Sequence, residues 1–241
     1  ENPYLIQSAA DLAFFASQVT SGTEVYSGKF VKLTKSIDLN NNNLMIGSYV
    51  KNKYANCFTG TFDGNNNWVL NININDSSVS GVGLFAQTSP TALIKNLALT
   101  GSIVGNQRVG GIVGESMGNV ENCINYATVT GVKYTGGVVG TCDSISIKNC
   151  ANYGVVSNTG GWLGGILGAA LSSKSPVLEN CVNYADIVHE STNDYGAIFG
   201  GGANTTGTFT LINCANNSAT AQSYPTCYGS RTDKPYKIVI Q

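Results

Sequence analysis

The chain has 241 residues, a formal net charge of −1 and only 11% charged residues, which excludes the basic surface of a nucleic-acid binder and the charge run of an acidic tail. Hydrophobic residues make up 42%, ample for a core, yet no apolar run is long enough to span a membrane. Asn, Ser, Thr, Gly and Tyr dominate the polar residues, a surface common on exported proteins, and a start at Glu1 without Met fits a processed chain.

The first element predicted is a helix. Ser8 stands as N-cap with Asp11 three residues on, and apolar residues fall at Leu12, Phe15, Ala16 and Val19. With the following strand, Phe30 to Leu33, it reads as an N-terminal cap for a stacked array, whose open end would otherwise expose core and unpaired backbone. The cap and first strands span 1–50, repeat coils span 51–217, and 218–241, where the period is lost, forms the other cap of a single domain.

Four segments then repeat one motif: Asn122-Cys123-Ile124-Asn125-Tyr126, Asn149-Cys150-Ala151-Asn152-Tyr153, Asn180-Cys181-Val182-Asn183-Tyr184 and Asn213-Cys214-Ala215-Asn216-Asn217, at spacings of 27, 31 and 33 residues. Glycine motifs keep step at Gly110-Gly111, Gly136-Gly137, Gly164-Gly165 and Gly196-Ala197. Upstream, Gly83-Leu84-Phe85-Ala86 and Lys95-Asn96-Leu97 continue both series in weaker form. A recurrence at this period marks a stacked-repeat fold. Within a coil the pattern has period two: Val120, Asn122 and Ile124 alternate with Glu121 and Cys123, and no helical spacing appears. Three short strands and three turns per coil describe an all-β, right-handed parallel β-helix of about six to seven coils.

Alignment turns residues into columns. Lys95, Glu121, Lys148, Glu179 and Ile212 precede the asparagines, and their charges alternate in sign, which favours the correct register on an exposed face. Asn122, Asn149, Asn180 and Asn213 form one amide ladder, and Asn125, Asn152, Asn183 and Asn216 another. Cys123, Cys150, Cys181 and Cys214 stack about 4.8 Å apart, within disulfide reach, but ladder geometry seldom supplies the dihedral. They read as reduced, buried small hydrophobes. Cys57, Cys142 and Cys227 lie off the ladder, and a bond from Cys142 to a neighbour stays open. No pair has the short spacing of a zinc site, so no metal or cofactor is expected.

Tyr126, Tyr153 and Tyr184 form an aromatic column that reads as structural. Tyr134 and Trp162 form another, with Arg108 below and Asp194 above, and these four are the candidate ligand-binding residues, for sugar rings. Three sequons offer glycosylation at Asn75, Asn204 and Asn216. Acidic residues are scattered. Glu115 and Asp143 are the best acid pair available to a hydrolase, and His189, the single histidine, reads as a surface residue, so no catalytic residue is assigned.

The Gly-Gly-Ile-Val-Gly and Gly-Gly-Val-Val-Gly segments, alternating with Glu-Asn-Cys-Ile-Asn-Tyr, resemble the GLUG-motif repeats of bacterial surface proteins. Such repeats accompany the catalytic domain of immunoglobulin-A-cleaving metallopeptidases and occur in large adhesin-like proteins. The resemblance covers roughly 8–217 and implies a β-helix on the cell surface. The zinc-protease His-Glu-x-x-His is missing, so peptidase activity is not implied. The expectation is a non-enzymatic, secreted or cell-surface module for adhesion, glycan contact or display, with host or environmental glycans or surface proteins as partners and no nucleic acid or membrane insertion. The alternatives are a polysaccharide lyase or glycosidase and a self-associating extracellular filament subunit.

Overall fold

The helix forms where its caps and apolar stripe predict, over Ala9–Ser21. Ser8 Oγ accepts from the Asp11 amide at 3.1 Å, and the Asp11 carboxylate reaches back to the Gln7 amide at 2.9 Å. Gly22, at φ 74, closes the C-terminus in the left-handed conformation. Leu12, Phe15, Ala16 and Val19 are buried, and Phe15 packs on Tyr26, Phe58 and Phe62.

What this helix covers is a parallel β-solenoid of about seven turns. The computed structural model describes every residue except 1, 52, 144, 172–174, 191–194, 203–207 and 219–236. One core column runs through Val31, Phe62, Ile94, Val120, Ile147, Leu178 and Leu211, and its register continues to the exposed Ile240. A second, four-stranded sheet stacks Phe85–Thr88, Val113–Ser116, Val139–Cys142 and Leu167–Ala170. The strand Lys237–Ile240 pairs in parallel with Thr208–Ile212 and so adds a rung, while most of the expected C-terminal cap lies outside the described residues. Among the described residues no helix is long and apolar enough to cross a membrane.

Two expectations need correction. One coil carries four strands and not three: Val113–Ser116, Asn119–Asn125, Thr128–Gly131 and Lys133–Gly136. And the alternation of Val120, Asn122 and Ile124 fails at its centre. Val120 faces inward, but so do Cys123 and Asn125, while Asn122 is exposed. The cause is the backbone of Asn122, at φ 51. One left-handed residue bends the strand into a corner and shifts the inward face by one position. Asn96, Asn149, Asn180 and Asn213 sit at the same corner with φ between 49 and 54. Asparagine tolerates this conformation better than any other side-chain-bearing residue.

Both amide ladders form. The corner amides bond coil to coil, Asn122 to Asn96 at 3.0 Å, Asn149 to Asn122 at 3.1 Å and Asn180 to Asn149 at 3.0 Å, on a base supplied by Asp63. The inner ladder is buried. Asn125 donates to Asn152 Oδ1 and Asn152 to Asn183 Oδ1, each at 2.9 Å, and each Nδ2 also bonds the carbonyl two residues on. The second glycine of each pair makes the room: a Cβ on Gly137 would stand 2.4 Å from Asn152 Cγ and 2.2 Å from the Gly165 carbonyl. The two sequence motifs are thus two halves of one packing solution. Where the glycine becomes Ala197, the ladder is at its last rung, Asn216.

Among the described residues every cysteine is a free thiol, including Cys142. Cys123, Cys150 and Cys181 are buried in the core and Cys214 is half-buried at the end of the column. The charge ladder is longer than the sequence suggested. Lys32 pairs in register with Asp63, and Asp63 with Lys95, so six alternating charges run from Lys32 to Glu179. Ion pairs join Lys95 to Asp63 at 3.7 Å and Lys148 to Glu179 at 2.8 Å.

Candidate functional site

Arg108, Tyr134 and Trp162 share a corner, and they share something costlier. Their φ angles are 56, 59 and 55. Elsewhere among the described repeat coils a left-handed corner carries Asn or Gly, and one coil below, the register places Gly81, at φ 73, beneath Arg108. A bulky side chain at such an angle costs about 1–2 kcal/mol. Three stacked instances hold planar side chains at one corner in spite of the backbone.

The corner is extended by a loop. Tyr49 leans over Gly81, its Cβ 2.4 Å from where a glycine substituent would stand, and fills that missing layer. The Arg108 guanidinium lies 4.8 Å from the Tyr49 ring centre and 5.6 Å from that of Tyr134. Tyr134 and Trp162 follow at 5.1 Å with their planes 35° apart, and the Lys133 ammonium sits 5.0 Å and 4.8 Å from the two ring centres. Aromatic and cationic groups therefore alternate along the axis. The Tyr126 column is different: Trp68, Tyr126, Tyr153 and Tyr184 stack at 5.1, 4.7 and 4.4 Å, the last two contacts nearly parallel, so within the column ring faces meet each other.

Beside the shelf opens a cleft of about 390 Å³, lined by Tyr49, Lys51, Gln87, Arg108, Glu115 and Asp143 among others. Glu115 projects from Val113–Ser116 in register with Gln87 and Thr141. Its carboxylate accepts from Gln87 Nε2 at 2.7 Å and from Arg108 Nε at 3.2 Å, and the Arg108 and Glu115 side chains are only 16% and 15% exposed. Burial pushes the Glu115 carboxyl above its usual range despite Arg108, and the charge of Asp143 adds to the rise. The expected acid pair thus lies on one cleft wall. Cys142, buried behind it, is held as a thiol well above the ordinary range. His189 lies away from the cleft, half-buried with its ring 4.2 Å from that of Tyr195, and burial lowers its pKa.

Of the other expected residues, Asp194 and Asn204 lie outside the described residues. Asn75 is exposed on the strand Thr61–Val82, whereas Asn216 is half-buried and accepts from Asn183 at 3.0 Å as the last rung of the inner ladder. Among the described residues no group of His, Cys, Asp and Glu could hold a metal ion. Tyr49, Gln87 and Lys133 were not legible as site residues. Gln87 alone carried a signal, since its place after the glycine motif matches that of Glu115.

No protein-family model matches the chain. Halomucin of Haloquadratum walsbyi is 31% identical over 156 residues, 61% of this chain but 2% of halomucin. A protein provisionally described as a Gly-rich membrane protein, from Evansella cellulosilytica, is 29% identical over 132 residues, 55% of this chain and 14% of that protein. The chain therefore spans a small fraction of the curated relatives it matches. A crystal structure of a protein provisionally described as an immunoglobulin A1 protease, from Bacteroides ovatus, superposes over 100% of this chain and 84% of that one, with TM-score 0.61 and 19% identity, which is a likeness of fold.

Proposed function

We propose that this chain is a non-enzymatic β-solenoid module displayed at the cell surface or secreted, which contacts glycans through the Tyr49–Arg108–Tyr134–Trp162 shelf. The carrying observation is the strain: Arg108, Tyr134 and Trp162 hold left-handed backbone where the other corners use Asn or Gly. Planar apolar surface edged by amides and charges suits the apolar C–H faces and hydroxyl rims of sugars. The GLUG-like repeats and the likeness to segments of much longer proteins, one described as a membrane protein, fit an adhesin-like display role. A glycan array and a cell-binding assay test it with Tyr134→Asn and Trp162→Asn, which keep a residue suited to the corner. Retention by the wild type and its loss in both variants is the expected result; a wild type that binds no glycan and no cell surface sinks the reading.

A second reading has one specific observation behind it, a carboxyl raised by burial in the same cleft as another acid. Glu115 as general acid and Asp143 as base would hydrolyse a polysaccharide. Release of reducing ends that vanishes in Asp143→Ala supports that reading, and inert behaviour across polysaccharides removes it.

A further inference from the structure

We propose that the shelf takes an acidic polysaccharide, one bearing carboxylates along its length, and that Lys133 and Arg108 read those carboxylates; this rests on the glycan-contact reading above. A neutral sugar needs an open ring face to stack on. Here cations already sit over part of those faces: Arg108 lies between Tyr49 and Tyr134, and the 35° wedge between Tyr134 and Trp162 has the Lys133 ammonium at 5.0 and 4.8 Å from the two ring centres. What the shelf offers a ligand is cationic charge held in place by aromatic rings.

The charge balance points the same way. Arg108 spends its Nε on Glu115, which leaves the planar terminal nitrogens of its guanidinium, donors suited to a carboxylate. Glu115 is turned inward, tied to Gln87 and Arg108, with burial favouring its neutral form. Lys133 and Lys51 have no carboxylate within ion-pair distance among the described residues. Asp143, which lines the cleft near Glu115, is the opposing charge, and its repulsion of an anion favours the corner over the cleft interior. Lys133 pairs in register with Gln107, the neighbour of Arg108, so the two cations lie one coil apart, about 4.8 Å along the axis. Charges repeating along the axis suit a polymer laid parallel to it.

Calorimetric titration with oligogalacturonate and with the same oligomer methyl-esterified tests this on the full chain. Binding of the acid, weakening at high salt, with little binding of the ester is expected. Lys133→Gln should weaken it about three- to fivefold and Lys133→Glu about tenfold or more, with unchanged melting temperatures. Equal binding of acid and ester overturns the proposal while the glycan-contact reading stands. Binding of the acid that ignores both Lys133→Glu and Arg108→Lys places the anion elsewhere and overturns it too. If neither oligomer binds, the acidic class is wrong, and a neutral glycan retained on the array would keep the broader reading alive.

Discussion

A single left-handed residue per corner decides how this chain turns, and most of those residues are asparagines whose amides also join coil to coil. The buried Asn152 amide serves three partners at once, Asn125, Gly154 and Asn183, so Asn152→Ala should cost about 2–3 kcal/mol, because Asn125 loses its acceptor in a place water does not reach. Denaturant unfolding of the variant measures this. Gly137→Ala attacks the same packing from the other side, with its new Cβ against the Gly165 carbonyl, and should destabilise by about 1–3 kcal/mol or more. Tyr134→Asn should behave in the opposite way: relief of about 1 kcal/mol of strain offsets the lost ring contacts, and the melting temperature holds while binding falls. A drop as large as that of Gly137→Ala would make Tyr134 a structural residue.

Strands act here as members of ladders. Each rung of the charge ladder is only partly buried and worth about 0–1 kcal/mol, yet the alternation over six coils makes any register slip bring like charges together. Lys148→Glu would put a third carboxylate between Glu121 and Glu179 and should destabilise by about 1 kcal/mol, an effect that shrinks in 1 M salt. The strand Val113–Ser116 carries the pH response. Burial raises the Glu115 carboxyl above its unfolded value of 4.5, so the folded state binds the extra proton and loses stability as pH rises from 4.5 upward. Glu115→Gln should remove that loss; thermal melts from pH 4 to 8 should show the variant gaining on the wild type with rising pH, and parallel curves would refute the assignment.

For the whole molecule, the cap matters most. Deleting residues up to Gly22 uncovers the end of the core around Phe58 and Phe62 and removes the burial of Leu12, Phe15 and Val19, a loss of about 5 kcal/mol that should show as aggregation or a steep fall in melting temperature. The cysteine column makes a prediction about the same core. Cys123, Cys150 and Cys181 are buried free thiols, so an alkylating reagent mapped by mass spectrometry should leave them unmodified until the solenoid unfolds.

The stacking was written in the chain. A period of 25 to 33 residues, a capped amphipathic helix and columns of Asn, Cys and alternating charge suffice for a β-solenoid, because residues at equivalent positions in successive coils must touch. Position within a coil was not. The inward face at Cys123 and Asn125 depends on the backbone angle of Asn122, which no local pattern reports. The shelf was legible in part, as Tyr134 above Arg108 and below Trp162. Tyr49 was not, since a loop from the cap brings it there across a long gap in sequence to fill the space over Gly81. Repetition along the axis follows from sequence alone; what meets across the corner, and which ring faces stay open, depends on how the unrepeated segments fold back on the rod.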